Sequence, residues 1–179
     1  ERFPYNTLNA ENPGISGFGD LYQNINQMNL FISRTLHTDV LTESARNYYL
    51  GQVYGLRAYY MYQLYRSWGD VVFTEEPSLG FEVGKLAKAA TPAAEIFEQV
   101  KKDIESSLSY FGSDYTIKEK KSLWSKAATL MLKADVYLWS AHRDGGEGDA
   151  RTAKNALVDI QNNISRSNLD LMDTYQGVF

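Results

Sequence analysis

The side chains best suited to chemistry are few in this chain and poorly placed for it. The two histidines, His37 and His142, stand more than a hundred positions apart in segments that read as loops. A metal or acid-base histidine needs further ligands or a carboxylate beside it, so a solvated loop histidine describes each better. No cysteine occurs, which removes a thiol nucleophile, a disulfide framework and a cysteine-ligated metal. Gly14-Ile15-Ser16-Gly17-Phe18-Gly19 has the outline of a nucleophile elbow, but Gly-x-Ser-x-Gly requires glycine where Phe18 stands, and no strand precedes it. The run Asp144 to Asp149 lacks the ligand spacing and closing glutamate of a calcium loop and reads as a helix connection. Glu75 and Glu76 are adjacent, so in extended chain they point apart and make a poor acid-base pair. Lys118 to Lys121 is a solvated hairpin. The expectation is a protein without catalytic residues, metal or cofactor.

Binding is better served. A sugar is recognised by flat rings against the C–H faces of the pyranose and by amides or charged groups on its hydroxyls, a mixed lining typical of ligand pockets. The opening segment, residues 1–19, carries prolines, glycines and asparagines without periodicity, and it mixes Phe3, Tyr5 and Phe18 with Asn6, Asn9 and Asn12. Loops concentrate function, so these six residues are the candidate ligand contacts.

The elements that would position them are helical. Between Asn47 and Tyr65 the only charged side chain is Arg57, while tyrosines stand at 48, 49, 54, 59, 60, 62 and 65. A helix over 43–67 would have almost no face for water and should be covered by others. Arg57 then requires a partner, since an unpaired buried charge costs several kcal/mol; Asp103 and Asp135, on helices expected to pack there, are the candidates for a structural ion pair. Before this helix, Leu21, Ile25, Met28, Ile32 and Leu36 recur at helical spacing, with Asp20 as N-cap. Thr42 or Asp39 should cap the central helix and Trp68-Gly69 end it. Asp70 to Thr74 is at most one strand. Thr91-Pro92 predicts a helix start, and Ile96 or Phe97, Val100, Ile104, Leu108 and Phe111 form its apolar stripe. Ser122 should cap a fourth helix with Leu123, Ala127, Leu130, Ala134, Leu138 and Ala141 as its stripe. The glycine-rich run 142–149 should end it, before a fifth helix through Ala153, Leu157, Ile160 and Ile164. Beyond Ser165 the chain should be extended. The class is all-α, and small alanines facing large rings suggest tetratricopeptide-type helix pairs.

Composition fits one globular domain: 44% of the 179 residues are hydrophobic and 22% charged. A net charge of −4 and a pI near 5.2 argue against a nucleic-acid partner. Asn47, Gln52, Arg57 and Gln63 argue against a membrane span through the central helix.

Gly55-Leu56-Arg57-Ala58-Tyr59-Tyr60, followed by Leu64, Tyr65 and Trp68-Gly69-Asp70-Val71, resembles the signature of the SusD/RagB family, with Val72 where proline is usual. Leu21-Tyr22, Ile25, Asn29 and Ile32, then Val100-Asp103-Ile104, Ala127 to Trp139, and Leu169, Leu171, Tyr175 and Phe179 resemble its other segments in order. The resemblance marks Trp68, Gly69 and Asp70, with Arg57, as structural positions. It implies a tetratricopeptide-like helical scaffold and a Bacteroidetes outer-membrane lipoprotein, here a piece of the N-terminal half. Residues 1–19 would be an irregular segment, 20–164 the scaffold and 165–179 the lead into further chain. It further implies capture of a glycan, oligosaccharide or polysaccharide, at the cell surface, with a SusC-like TonB-dependent transporter as partner. Membrane attachment would be only through an N-terminal lipid anchor, whose cysteine this sequence does not contain. The alternatives are a RagB-like peptide-binding protein, a tetratricopeptide-type adaptor and an unrecognised helical hydrolase.

Overall fold

The computed structural model describes residues 17–80, 87–119 and 122–167. The chain forms α1 (Gly19–Leu36), α2 (Glu43–Trp68), α3 (Ala93–Phe111), α4 (Lys126–Ser140), a single π turn (Ala141–Gly145), α5 (Gly146–Asn162) and the short α6 (Ile164–Ser167). Among the described residues the only β pairing is an isolated antiparallel bridge between Val71 and Thr91, so the segment 70–74, read as at most one strand, contributes a single bridge residue and no sheet.

Each long helix packs antiparallel on the next. Phe18 meets Trp68 while Phe31 meets Tyr49; Tyr65 meets Phe97 while Tyr48 meets Phe111; Ser107 meets Thr129 while Lys101 lies over Tyr137. This order puts the start of α1, the end of α2, the start of α3 and the end of α4 at one end of the layer. The core is Leu64, Met61, Tyr62 and Ala58 of α2 against Ile96, Val100 and Ile104 of α3, with Ile25, Leu132 and Val136 closing it. A second cluster joins Leu130 and Ala134 to Ala153 and Ala156 of α5, where alanines allow close approach.

The central helix is less completely covered than its composition predicts. Tyr49 and Tyr59 are 42% and 41% exposed, because a tyrosine can bury its ring against neighbours and leave its hydroxyl wet. The buried face of α1 is Ile25, Asn29, Ile32 and Thr35, so the expected stripe is rotated at its end, and Leu36 is exposed. Among the described residues no helix is long and apolar enough to cross a membrane.

The caps differ in instructive ways. Thr42 accepts from the Ala45 amide, as its position predicts. Asp20 is not a cap: it lies in the first turn of α1, after Phe18, where a carboxylate favours the helix dipole. At α3 the Thr91 hydroxyl does not cap, because the Thr91 backbone is bridged to Val71; the Ala93 amide is met instead by Asp70 Oδ1 at 2.8 Å. Ser125 rather than Ser122 caps α4, and Leu123 stays outside the helix. The glycine-rich run does not form a loop: α4 widens into the π turn and α5 begins at Gly146, several residues earlier than the apolar pattern indicated. Residues Ile164–Ser167 are helical, and the extended segment expected beyond falls outside the described residues from 168 on.

Two features carry predictions. Gly55 lies under Trp124, and a Cβ there would overlap the indole nitrogen and approach Thr129 Oγ1 to 2.9 Å. Trp124 Nε1 donates to Thr129 Oγ1 at 2.8 Å, and Ser107 Oγ donates to the Gly51 carbonyl at 2.6 Å, so the indole cannot move without breaking a buried network. Gly55→Ala is expected to lower stability by about 1–3 kcal/mol by overpacking, read as a lower urea midpoint at unchanged slope. Tyr62 is fully buried, and its hydroxyl has no hydrogen-bond partner among the described residues. Burial pushes this phenol up to about 12 from its ordinary 10.0. Between those two values the unfolded chain loses the proton and the folded chain keeps it, so folded stability falls as pH rises through that window. Tyr62→Phe should flatten that alkaline slope and leave neutral-pH stability equal or higher; an unchanged slope in urea unfolding from pH 9 to 12 would show that the group is not the cause.

Candidate functional site

The groups with chemistry meet at the end of the layer where α1 begins and α2 ends. Phe18 stands edge-on to Tyr22 at 5.5 Å and to Trp68 at 5.8 Å, and the three rings with Asp70, Val71, Val72 and Ala90 line a recess of about 460 Å³. A second recess of about 380 Å³ shares Tyr22 and Val72 and is lined by Gln23, Asn26, Asn29, Thr74 and Ser78, with Phe73 and Lys88 at its side. A ring shelf thus adjoins an amide-lined hollow, with Tyr22 between them.

Local sequence explains the arrangement. Tyr22, Asn26 and Asn29 fall at i, i+4 and i+7 and so share one face of α1. The loop after Gly69 is tied to that face: the Tyr22 hydroxyl donates to the Val72 carbonyl at 2.8 Å, the Asn29 amide donates to the Thr74 carbonyl at 2.6 Å, and Asn26 exchanges two bonds with Ser78, at 2.7 and 3.2 Å. Gly69 starts the loop with φ +74°, a backbone state that side chains disfavour, while its amide donates to the Tyr65 carbonyl. Val72, where proline was usual in the resemblance, is held through its carbonyl. Burial pushes the Tyr22 phenol up, partly countered by that bond, so the group is a neutral donor.

Beneath this loop lies the buried ion pair. Arg57 Nε and Nη2 donate to the two Asp103 oxygens, both at 2.7 Å, and Nη1 donates to Asn29 Oδ1 at 2.8 Å. Gln99 adds a donor to Asp103 Oδ1 at 2.9 Å, and Glu75 Oε1 lies 3.7 Å from Nη2. Tyr54 and Phe73 lie at 5.2 and 6.0 Å from the guanidinium centre. Burial works against the Arg57 charge, but the bonds and charge of Asp103 outweigh it and its pKa is raised. Asp103 feels the same burial, which pushes its carboxyl up against the pull of Arg57 and Gln99. Asp135, the other candidate partner, does not reach Arg57: it lies on α4 and faces Arg66, at 3.8 Å, nine residues further along α2.

Of the proposed ligand contacts, Phe18 is on the shelf, 47% exposed; Phe3, Tyr5, Asn6, Asn9 and Asn12 lie outside the described residues. Trp68 joins the shelf as a ring, Gly69 turns the chain and Asp70 caps α3. Sequence reasoning missed Tyr22, Asn26, Asn29 and Glu75. The polar i, i+4, i+7 spacing on α1 was the available signal for the first three. Glu75 had none, because its role depends on where the loop folds. His37 Nδ1 donates locally, to the Ser33 carbonyl, and among the described residues no three His, Asp or Glu groups gather as metal ligands.

These features define a class: an all-α, tetratricopeptide-like scaffold of consecutive antiparallel helices presenting a ring-and-amide recess at one end. Comparison with known proteins agrees and is more specific. The chain belongs to the SusD-like family, whose model, described as starch-binding associating with outer membrane, matches residues 5–138. It is similar to NanU of B. fragilis, at 48% identity and a TM-score of 0.86 over 100% of this chain and 35% of that one. A SusD superfamily protein of Bacteroides vulgatus matches at 46% identity and a TM-score of 0.83, covering 96% of this chain and 34% of its own. SusD-like protein P38 of Formosa agariphila is 34% identical over 113 residues, 62% of this chain and 20% of that protein. The chain therefore spans about a third of the solved structures it matches, and less of the curated relative.

The ion pair yields a prediction. Asp103→Asn leaves Arg57 buried without its charge partner and should cost about 3–5 kcal/mol. The double replacement Arg57→Met with Asp103→Leu should recover most of that loss. Urea denaturation of the single and double variants measures both, and a double variant no more stable than the single would rule out an uncompensated charge as the cause.

Proposed function

We propose that the protein containing this chain captures a glycan at the outer-membrane surface and passes it to a SusC-like TonB-dependent transporter, binding and releasing without bond cleavage. The observation that carries the reading is the ring shelf of Phe18, Tyr22 and Trp68 adjoining the amides of Asn26 and Gln23. Rings supply the apolar face for a pyranose, amides supply donors and acceptors for its hydroxyls, and a recess of this size suits an oligosaccharide unit. Membership of a SusD-like family described as starch-binding and outer-membrane-associated supports the glycan class and the location. The lipid anchor and the transporter partner rest on the family resemblance.

Calorimetric titration of the protein with soluble neutral polysaccharides, and in parallel with a peptide mixture, tests it. Saturable glycan binding without release of new reducing ends is expected, with Trp68→Ala and Tyr22→Ala each weakening it by about tenfold or more, the usual scale when a central aromatic contact is truncated. Binding to peptides alone would transfer the protein to the peptide-binding reading, and accumulation of shorter sugars would make it a hydrolase.

A further inference from the structure

A third recess, which shares no lining residue with the two above, opens at the same end of the layer. It has a volume of about 430 Å³ and lies between the start of α3, the end of α2 and the π turn. Its floor is Tyr65 against Phe97, ring centroids 4.9 Å apart. Its wall is Trp139, 37% exposed, with the Arg143 guanidinium 5.3 Å from the indole centre. Arg143 Nη1 also donates to the Tyr65 hydroxyl at 3.3 Å, so wall and floor are joined.

The polar groups come from two sides. Lys101 pairs with Glu98 at 3.0 Å on α3, while Asp144 and Asp149 face from the turn and the start of α5. The π turn, Ala141–Gly145, sets these positions: it widens α4 by one residue, and the Asp149 carboxylate folds back onto Gly145, where a Cβ would overlap it. Three carboxylates stand here against two cations. An anionic ligand would meet Glu98, Asp144 and Asp149, and a cationic one would meet Lys101 and Arg143. An uncharged molecule with one apolar face and several hydroxyls suits both the rings and the paired charges.

We infer that the recess between Trp139, Tyr65 and the π turn is a second binding site, for a neutral pyranose. The ring plane lies against Tyr65 and Trp139, Arg143 donates to hydroxyl oxygens, and Asp149 accepts from hydroxyl protons. This assignment does not rest on the function proposed for the shelf.

The test is ¹⁹F NMR of protein labelled with 5-fluorotryptophan, the Trp139 resonance being identified by its loss in Trp139→Phe. The probes are glucose, galactose, mannose and their linear disaccharides. A saturable shift of the Trp139 resonance is expected with at least one probe, weakened tenfold or more in Asp149→Asn and in Arg143→Met and kept within twofold in Trp68→Ala. Both weakening variants alter partly or well exposed side chains, and the remaining tryptophan resonances report that the fold is intact. No saturable shift with any probe, or a shift untouched by Asp149→Asn and Arg143→Met, overturns the site. A shift lost in Trp68→Ala also overturns it, by assigning the binding to the shelf, whereas failure of the shelf alone leaves the Trp139 response in place.

Discussion

The bidentate pair of Arg57 and Asp103 is the constraint on which the rest of the molecule depends. Arg57, 2% exposed, cannot be left unpaired, and its Nε and Nη2 hold the Asp103 carboxylate by two parallel bonds that add geometric specificity. That geometry fixes the register of α3 along α2. A third N–H, on Nη1, donates to Asn29 Oδ1 and so fixes α1 as well. Asn29 in turn holds the Thr74 carbonyl, so the same guanidinium sets the position of the loop that walls the recess. Three helices and one loop are thereby referenced to a single side chain.

The shelf is consequently built on rigid parts. Tyr22 comes from the first turn of α1, Phe18 from the residue just before that helix and Trp68 from the last residue of α2, while Asp70, Val71, Val72 and Ala90 belong to connecting chain. The connection is held by its hydrogen bonds to α1, by the bridge between Val71 and Thr91, and by Asp70 at the start of α3. A ring surface held this way loses little freedom on meeting a ligand, which favours affinity.

The helices and their order were legible because apolar periodicity at 3.6 residues is a strong local signal that α1, α3 and α5 obey, while α2 showed itself by the near absence of charge along its whole length. The ends were legible only where the cap is local. Thr42 fits; Thr91 fails because its backbone is engaged by Val71 and the capping oxygen comes from Asp70, twenty-odd positions earlier. Ser122 fails because the Trp124 indole must reach Gly55, which delays the helix to Lys126. The π turn was illegible, since glycines between helices ordinarily mark a loop and no sequence rule distinguishes the widened turn. Of the site, Phe18 and the ring–amide theme were readable, while Tyr22 and Asn29 entered only as positions of the family resemblance, without a role in the site. Their partners, the Val72 and Thr74 carbonyls, are backbone groups that carry no trace in residue type.

The sequential pairing of antiparallel helices has a kinetic consequence. Nearly every helix touches the one before it and the one after it, so the closing of each contact spans a short stretch of chain and little loop entropy is lost per contact formed. Such a topology assembles by local hairpins added one to the next, in the manner of repeat arrays, rather than through one long-range nucleus. The hairpin of α2 and α3 carries most of the core and is the natural first step. The guanidinium can be desolvated only as Asp103 arrives with it, so the pairing that fixes the final register also selects, during assembly, against hairpins that have collapsed one turn out of step.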